Sequence, residues 1–239
     1  WLPFYQLDRR WKRNDCALLS MYEALEEKLR LKDIFIVFNG ANVHPDFLRN
    51  LSTFNVYMCW DDPDSSDLLS RPIAAHFDYC FTGNVSCIPL YQSWGIRNVE
   101  FLPILFFTEA DYSLELTESD VLEANRDVDI VFLGEMNVQR RDTLKHLKNT
   151  FPDAVTRGRG WPGGYLPEEQ KVALYGRSKI GWNVHNSVGP CNIRTFALPA
   201  NGILQIWYNK CRLGQLFELG KEAIGFDRVE ECVELTRYY

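Results

Sequence analysis

Short apolar runs of strand length alternate with helix-length segments along nearly the whole chain, and this alternation restricts the fold more than any other feature. A strand, a helix and a further strand make one crossover unit, and repeating the unit builds parallel sheets covered by helices on both sides. In the first half, strands are read at Ile34 to Phe38, Asn55 to Trp60, Tyr79 to Thr82 and Val99 to Leu102. Helices fit Asp15 to Leu31, Pro45 to Asn50 and Ile88 to Trp94. In the second half, strands are read at Ile130 to Leu133, Ala154 to Arg157, Ile180 to Val184, Ile203 to Ile206 and Ala223 to Phe226. Helices there fit Arg140 to Asn149, Pro167 to Gly176, Ile193 to Ala200, Leu213 to Leu219 and Val229 to Arg237. The polar stretch from Thr108 to Arg126 lacks a strand pattern and reads as the passage between two α/β units, residues 1–107 and 108–239. The expected architecture is two Rossmann-like domains facing one another, with ligands in the cleft beyond the carboxyl ends of the strands.

Composition narrows the function classes. With 239 residues, 46% of them hydrophobic, the chain is long enough to bury a sizeable core. No apolar run approaches the roughly 20 residues that span a bilayer, and no signal-peptide pattern is present, so a cytoplasmic location is the default expectation. The seven cysteines (Cys16, Cys59, Cys80, Cys87, Cys191, Cys211, Cys232) are scattered without a Cys-x-x-Cys pair. That suits reduced thiols and argues against a disulfide framework or a zinc site. A net charge of -6 disfavours broad contact with a nucleic-acid backbone. The one basic cluster, Arg9, Arg10, Lys12 and Arg13, reads as the solvated face of an N-terminal helix.

Three segments point to a phosphorylated ligand. Asn192-Ile193-Arg194-Thr195-Phe196-Ala197 begins with an Asn that can cap a helix and an Arg in the first turn, which together form a cradle for phosphate. The strand ending at Leu133 runs into Gly134 and then Arg140 and Arg141 at a helix start, where backbone N–H groups and a guanidinium fork can hold a diphosphate. After the next strand comes Arg157-Gly158-Arg159-Gly160-Trp161, in which Trp161 either stacks on a base or sugar or packs against a Gly-rich turn. His185 follows a third strand and leads toward the Asn192 element. In the first half, Asp61-Asp62-Pro63-Asp64 puts carboxylates at the carboxyl end of a strand, as a general base, as a sugar-hydroxyl ligand, as a loose Asp-x-Asp metal motif or as a helix cap. His44 and His76 read as structural or surface residues.

These residues resemble the spore maturation protein CgeB-like glycosyltransferases, which have a GT-B fold. The resemblance runs through Trp60-x-Asp-Asp-Pro, Phe77-Asp78-Tyr79-Cys80-Phe81-Thr82, Leu102-Pro103, Phe132-Leu133-Gly134, Gly158-x-Gly160-Trp161, Tyr175-x2-Ser178-Lys179-Ile180 and Asn192-x-Arg194-x-Phe196. It implies transfer of a sugar from a nucleoside diphosphate, the donor being held by the second domain through Gly134, Arg140 or Arg141, Gly158, Trp161, His185 and the Asn192 to Ala197 element. The first domain would bind the acceptor, a glycan, natural product or protein, with Asp61 or Asp62 activating its hydroxyl if configuration is inverted. No metal and no cofactor are implied. Family members commonly carry Glu where this chain has Ala197, and related enzymes use that carboxylate on the ribose. Loss of this contact leaves open a nucleotide-sugar-binding protein with weakened or lost catalysis, or a GT-B-type sugar-nucleotide epimerase. The resemblance further implies that the first strand and opening loop of the first domain precede Trp1, leaving that domain incomplete, and that a closing helix follows Tyr239.

Overall fold

The structure is a computed structural model and describes residues 4–40, 42–103, 117, 119–120, 125–186, 191–208, 214 and 216–239. The chain divides into two compact units, Trp1–Ile104 and Leu105–Tyr239. Most of the expected passage from Thr108 to Arg126 lies outside the described residues.

In the first unit, helices α1 (Phe4–Lys12) and α2 (Cys16–Leu29) precede strand β1 (Ile34–Phe38). Then follow α3 (Pro45–Leu48), β2 (Phe54–Cys59), β3 (Tyr79–Thr82), α4 (Ile88–Ser93) and β4 (Val99–Phe101). Helix α2 starts where Asp15 accepts the Leu18 N–H at 3.0 Å, and Arg10 pairs with the same carboxylate at 2.8 Å. Lys12 pairs with Asp8, so part of the basic cluster is spent on local ion pairs. The strands are all parallel in the order β1-β2-β3-β4. Because crossovers are right-handed, a sheet that grows in one direction carries its connections on one face. That face holds the core: Val37, Tyr57, Cys59, Cys80 and Val99 pack with Leu18, Tyr22 and Leu29 of α2 and with Phe47, Leu48 and Tyr91. The opposite face differs from the two-sided cover expected of it, since Ile34, Ile36, Phe38 and Phe54 are each at least 43% exposed. The one-way strand order accounts for the difference.

The second unit is built from β5 (Val128–Leu133), α5 (Arg141–Thr150), β6 (Val155–Arg157), α6 (Glu168–Gly176) and β7 (Ser178–Asn183). It continues through α7 (Ile193–Ala200), β8 (Leu204–Tyr208), β9 (Ile224–Phe226) and α8 (Val229–Tyr238). Its parallel sheet has the order β6-β5-β7-β8-β9. The chain steps outward from β5 to β6 and then returns to the other side of β5, so winding direction changes between β5 and β7. Alternation along β5 sends Ile130 and Phe132 into a cluster with Leu144 and Leu147 of α5 and Cys232 and Val233 of α8. Val131 enters a second cluster with Tyr175 of α6 and Ala197 and Leu198 of α7. This sheet is therefore covered on both faces. Trp182 is fully buried with its indole N–H on Thr236 Oγ1 at 3.1 Å, a burial that contributes about 3 kcal/mol or more. Of the helix expected over Leu213 to Leu219, positions 213 and 215 lie outside the described residues, Gly214 takes 3-10 geometry, and residues 216–219 are not helical, Leu219 bridging instead to Ala223. Gly214 and Gly220 bracket a segment of little more than one turn, too short to repay helix nucleation.

Candidate functional site

Each unit presents residues at the carboxyl edge of its sheet. In the first unit, β2 ends at Cys59 and leads to Asp61 and Asp62, which take different environments. Asp61 is exposed, accepts a hydrogen bond from Asn39 Nδ2, and lines a hollow of about 290 Å³ with Asn39, Ser65, Leu68 and Leu69. Asn39 adopts a left-handed φ of 46° and also accepts the Trp60 N–H at 3.1 Å, which fixes its amide beside Asp61. Asp62 is 1% exposed, and its Oδ2 accepts from Ser70 Oγ at 2.7 Å and from the Tyr91 hydroxyl at 2.6 Å. Its Oδ1 is buried without a partner. Burial raises the Asp62 carboxyl above the ordinary range, against the pull of the Tyr91 and Ser70 hydroxyls. The structure thus separates the two acids: Asp61 reaches solvent and Asp62 is a buried support.

A testable sign follows for Asp62. A carboxyl whose pKa is higher folded than unfolded binds more protons in the native state between the two values, so its contribution to stability falls as pH rises through that window. Asp62→Asn keeps an oxygen for Ser70 and Tyr91 and cannot ionise. Its stability relative to the parent is expected to improve as pH rises from the ordinary carboxylate range through the raised Asp62 pKa. Urea unfolding of both proteins across this range checks it, and a pH-independent difference would contradict it.

In the second unit, the carboxyl ends of β5 and β6 frame a cavity of about 600 Å³ lined by Leu133, Gly134, Glu135, Arg157, Gly158, Arg159, Tyr165, Leu166, Glu168 and Lys171. The two glycines set its floor. Gly134 donates its N–H to Arg157 O at 2.9 Å, and a β-carbon on Gly158, whose φ is +127°, would lie 2.4 Å from Gly134 O. Gly158→Ala is therefore expected to cost about 2 kcal/mol and to push the two turns apart. Thermal unfolding measures the loss, and an unchanged melting temperature would show that the turns yield. The lining carries three cations against two carboxylates, with Arg159 paired to Glu135 at 2.6 Å and Lys171 to Glu168 at 2.8 Å.

Behind this floor, at the change of winding direction between β5 and β7, Arg140 and Arg194 converge. Their guanidinium carbons lie 5.3 and 5.1 Å from the centroid of the Phe132 ring. Arg140 donates to Glu135 O at 2.7 Å and Val184 O at 3.0 Å. Arg194 donates to Leu133 O at 3.0 Å, Val184 O at 3.3 Å and Asn183 Oδ1 at 3.2 Å. All of these acceptors are neutral oxygens, and among the described residues neither arginine forms an ion pair. A β-carbon on Gly134 would meet Arg194 Nη1 at 2.7 Å and Arg140 Nη2 at 3.2 Å, so glycine is what fits between cavity and guanidinium groups. Burial and the neighbouring Arg194 push Arg140 down to about 9, with Glu135 acting the other way, and burial pushes Arg194 down to about 10. Both remain charged at neutral pH.

Helix α7 completes the arrangement. Asn192 accepts the Thr195 N–H at 3.3 Å, and Thr195 Oγ1 accepts the Asn192 N–H at 3.1 Å, a reciprocal cap that holds the helix start. The other predicted residues have supporting places. Trp161 is 6% exposed, donates its indole N–H to Gly134 O at 3.0 Å and packs on Phe132, so it takes the packing role and offers no open face for a base. His185 is 5% exposed and stacks on Trp207, Phe196 packs against Phe217, and Arg141 is exposed on α5. Ala197 is fully buried in the apolar cluster with Val131, Tyr175, Leu198 and Ile203, so position 197 has no surface from which to reach a ribose.

Residues 111–239, more than half of the chain, match a family described as glycosyl transferase-like. The chain belongs to that family. Two crystal structures of HepE from Anabaena, one in complex with UDP-glucose and one with UDP and glucose, share the fold with TM-scores of 0.63 and 0.64. Identity is 10% in both, over 92% of this chain and 71% and 70% of theirs. The α/β fold, a parallel sheet in each of two Rossmann-like units, is the GT-B class that the resemblance implied. Comparison with curated proteins finds no match.

Two parts of this arrangement escape the sequence motifs. Asn183 and Gln205 sit in strands read as apolar runs, yet form a buried hydrogen bond of 2.7 Å beneath the helix start. A polar residue inside a buried strand is the signal that points to them. Among the described residues, no group of three or more His, Cys, Asp and Glu side chains could hold a metal ion, and no helix is long and apolar enough to cross a membrane. Cys59, Cys80, Cys87 and Cys232 are free thiols pushed up to about 12 by burial, which leaves them protonated and unreactive.

Proposed function

We propose that the chain is a glycosyltransferase of CgeB-like type that moves a sugar from a nucleoside-diphosphate donor to an acceptor hydroxyl. The observation that carries this reading is the pair of guanidinium groups at the β5/β7 edge, both held by neutral oxygens, behind a glycine-floored cavity. A departing diphosphate gains negative charge as the glycosidic bond breaks, and preorganised cations in a partly buried site stabilise that charge without reorganising. The capped start of α7 adds its N-terminal dipole. In this reading the second unit holds the donor, no bound metal is required, and Asp61 accepts the acceptor's proton while Asp62 supports its loop. The family match and the HepE complexes with UDP-glucose make a uridine donor the first to test. The buried free thiols fit a cytoplasmic location.

The test is release of nucleoside diphosphate from UDP-glucose and a panel of other nucleotide sugars, with and without an acceptor mixture. Release that depends on acceptor and is lost in Arg194→Ala supports the reading. Donor binding with no release would make the chain a nucleotide-sugar-binding protein, and no donor binding would remove the donor site.

A further inference from the structure

Asn183 closes β7 directly under the two arginines and is fully buried. Its Oδ1 accepts from Arg194 Nε at 3.2 Å and from Asn192 Nδ2 at 3.0 Å. Its Nδ2 donates to Gln205 Oε1 at 2.7 Å and contacts Thr195 Oγ1 at 3.4 Å, while Gln205 Nε2 donates to Thr195 O at 3.3 Å. One amide therefore fixes both the guanidinium of Arg194 and the cap of α7, and is itself fixed from below. A carboxylate at this position would satisfy Arg194 better, because charge-assisted hydrogen bonds are the stronger kind. It would also cancel the charge that an incoming anion needs.

We propose that Asn183 is a positioning residue that holds Arg194 in place while leaving its charge unneutralised, and so sets the affinity of the site for a diphosphate. This rests on the diphosphate reading above. Opposite charge close to the guanidinium competes with the ligand, whereas a neutral amide fixes the same geometry without competing. A packing role for Asn183 would not distinguish aspartate from asparagine by the charge of the ligand.

The experiment measures pyrophosphate and UDP binding by calorimetry at several salt concentrations for the wild-type chain, Asn183→Asp and Asn183→Ala. The aspartate variant is expected to bind at least fivefold more weakly and with a flatter salt dependence, because one positive charge has been cancelled. The alanine variant loses affinity but keeps the wild-type salt dependence. Should the aspartate variant not fold, Gln205→Glu supplies a second route, since a carboxylate there still accepts from Asn183 Nδ2 and brings a negative charge to the same amide. Wild-type affinity and salt dependence in these acidic variants would overturn this proposal and leave the donor reading intact. Failure of the wild-type chain to bind pyrophosphate or UDP would overturn both.

Discussion

Arg194→Ala is expected to weaken UDP binding at least tenfold. The side chain supplies one of two charges at the change of winding direction, and a hydrogen bond to a charged group is worth about 1.5 to 3 kcal/mol. The arginine also ties β5 to β7 through Leu133 O and Val184 O, so the substitution removes a donor from Leu133 O and leaves Val184 O to Arg140. Some loss of thermal stability will accompany the loss of affinity. The two effects are separable, because removal of a ligand-facing charge flattens the salt dependence of binding and removal of a strand tie does not. Calorimetric titration beside a melting curve checks both. Lowered stability with unchanged affinity would assign Arg194 a purely structural role.

Ala197→Glu is expected to destabilise the protein by about 3 kcal/mol and not to improve donor binding. The family resemblance alone suggests the reverse, since a glutamate there would restore a ribose contact. In the fold, the methyl group of Ala197 is enclosed by Val131, Tyr175, Leu198 and Ile203. A longer acidic chain would have to displace close-packed apolar atoms and leave a carboxylate without a partner. Chemical denaturation gives the stability change directly. A stable variant with tighter UDP binding would show that α7 turns position 197 outward when ligand is present.

The alternation of strand and helix was legible in the sequence because hydrophobic period and turn residues agree over most of the chain. The Ile193–Ala200 helix falls on the residues expected of it, since Asn192 caps it and Gly202 follows it. Winding direction was not legible. No local pattern says that β6 pairs outside β5 while β7 pairs on its other side, and that choice creates the edge where Arg140 and Arg194 meet. The same limit explains the bare face at Ile34, Ile36 and Phe38, which reads as interior by composition and is exposed by topology. Motif reading drew Gly134, Gly158, Arg140 and Arg194 to one part of the molecule, where the structure also puts them. It did not separate exposed from supporting residues: Trp161, which reads equally as a stacking or a packing side chain, and His185, read as part of the donor site, are both buried in the fold.

The most direct measurement is titration of UDP into the wild-type chain at low and at physiological ionic strength. Saturable binding at one site, weakening as salt rises and competed by pyrophosphate, is the predicted result. An absence of heat at both salt concentrations, confirmed by unchanged melting temperature at millimolar UDP, would contradict the claim that these two arginines serve a diphosphate.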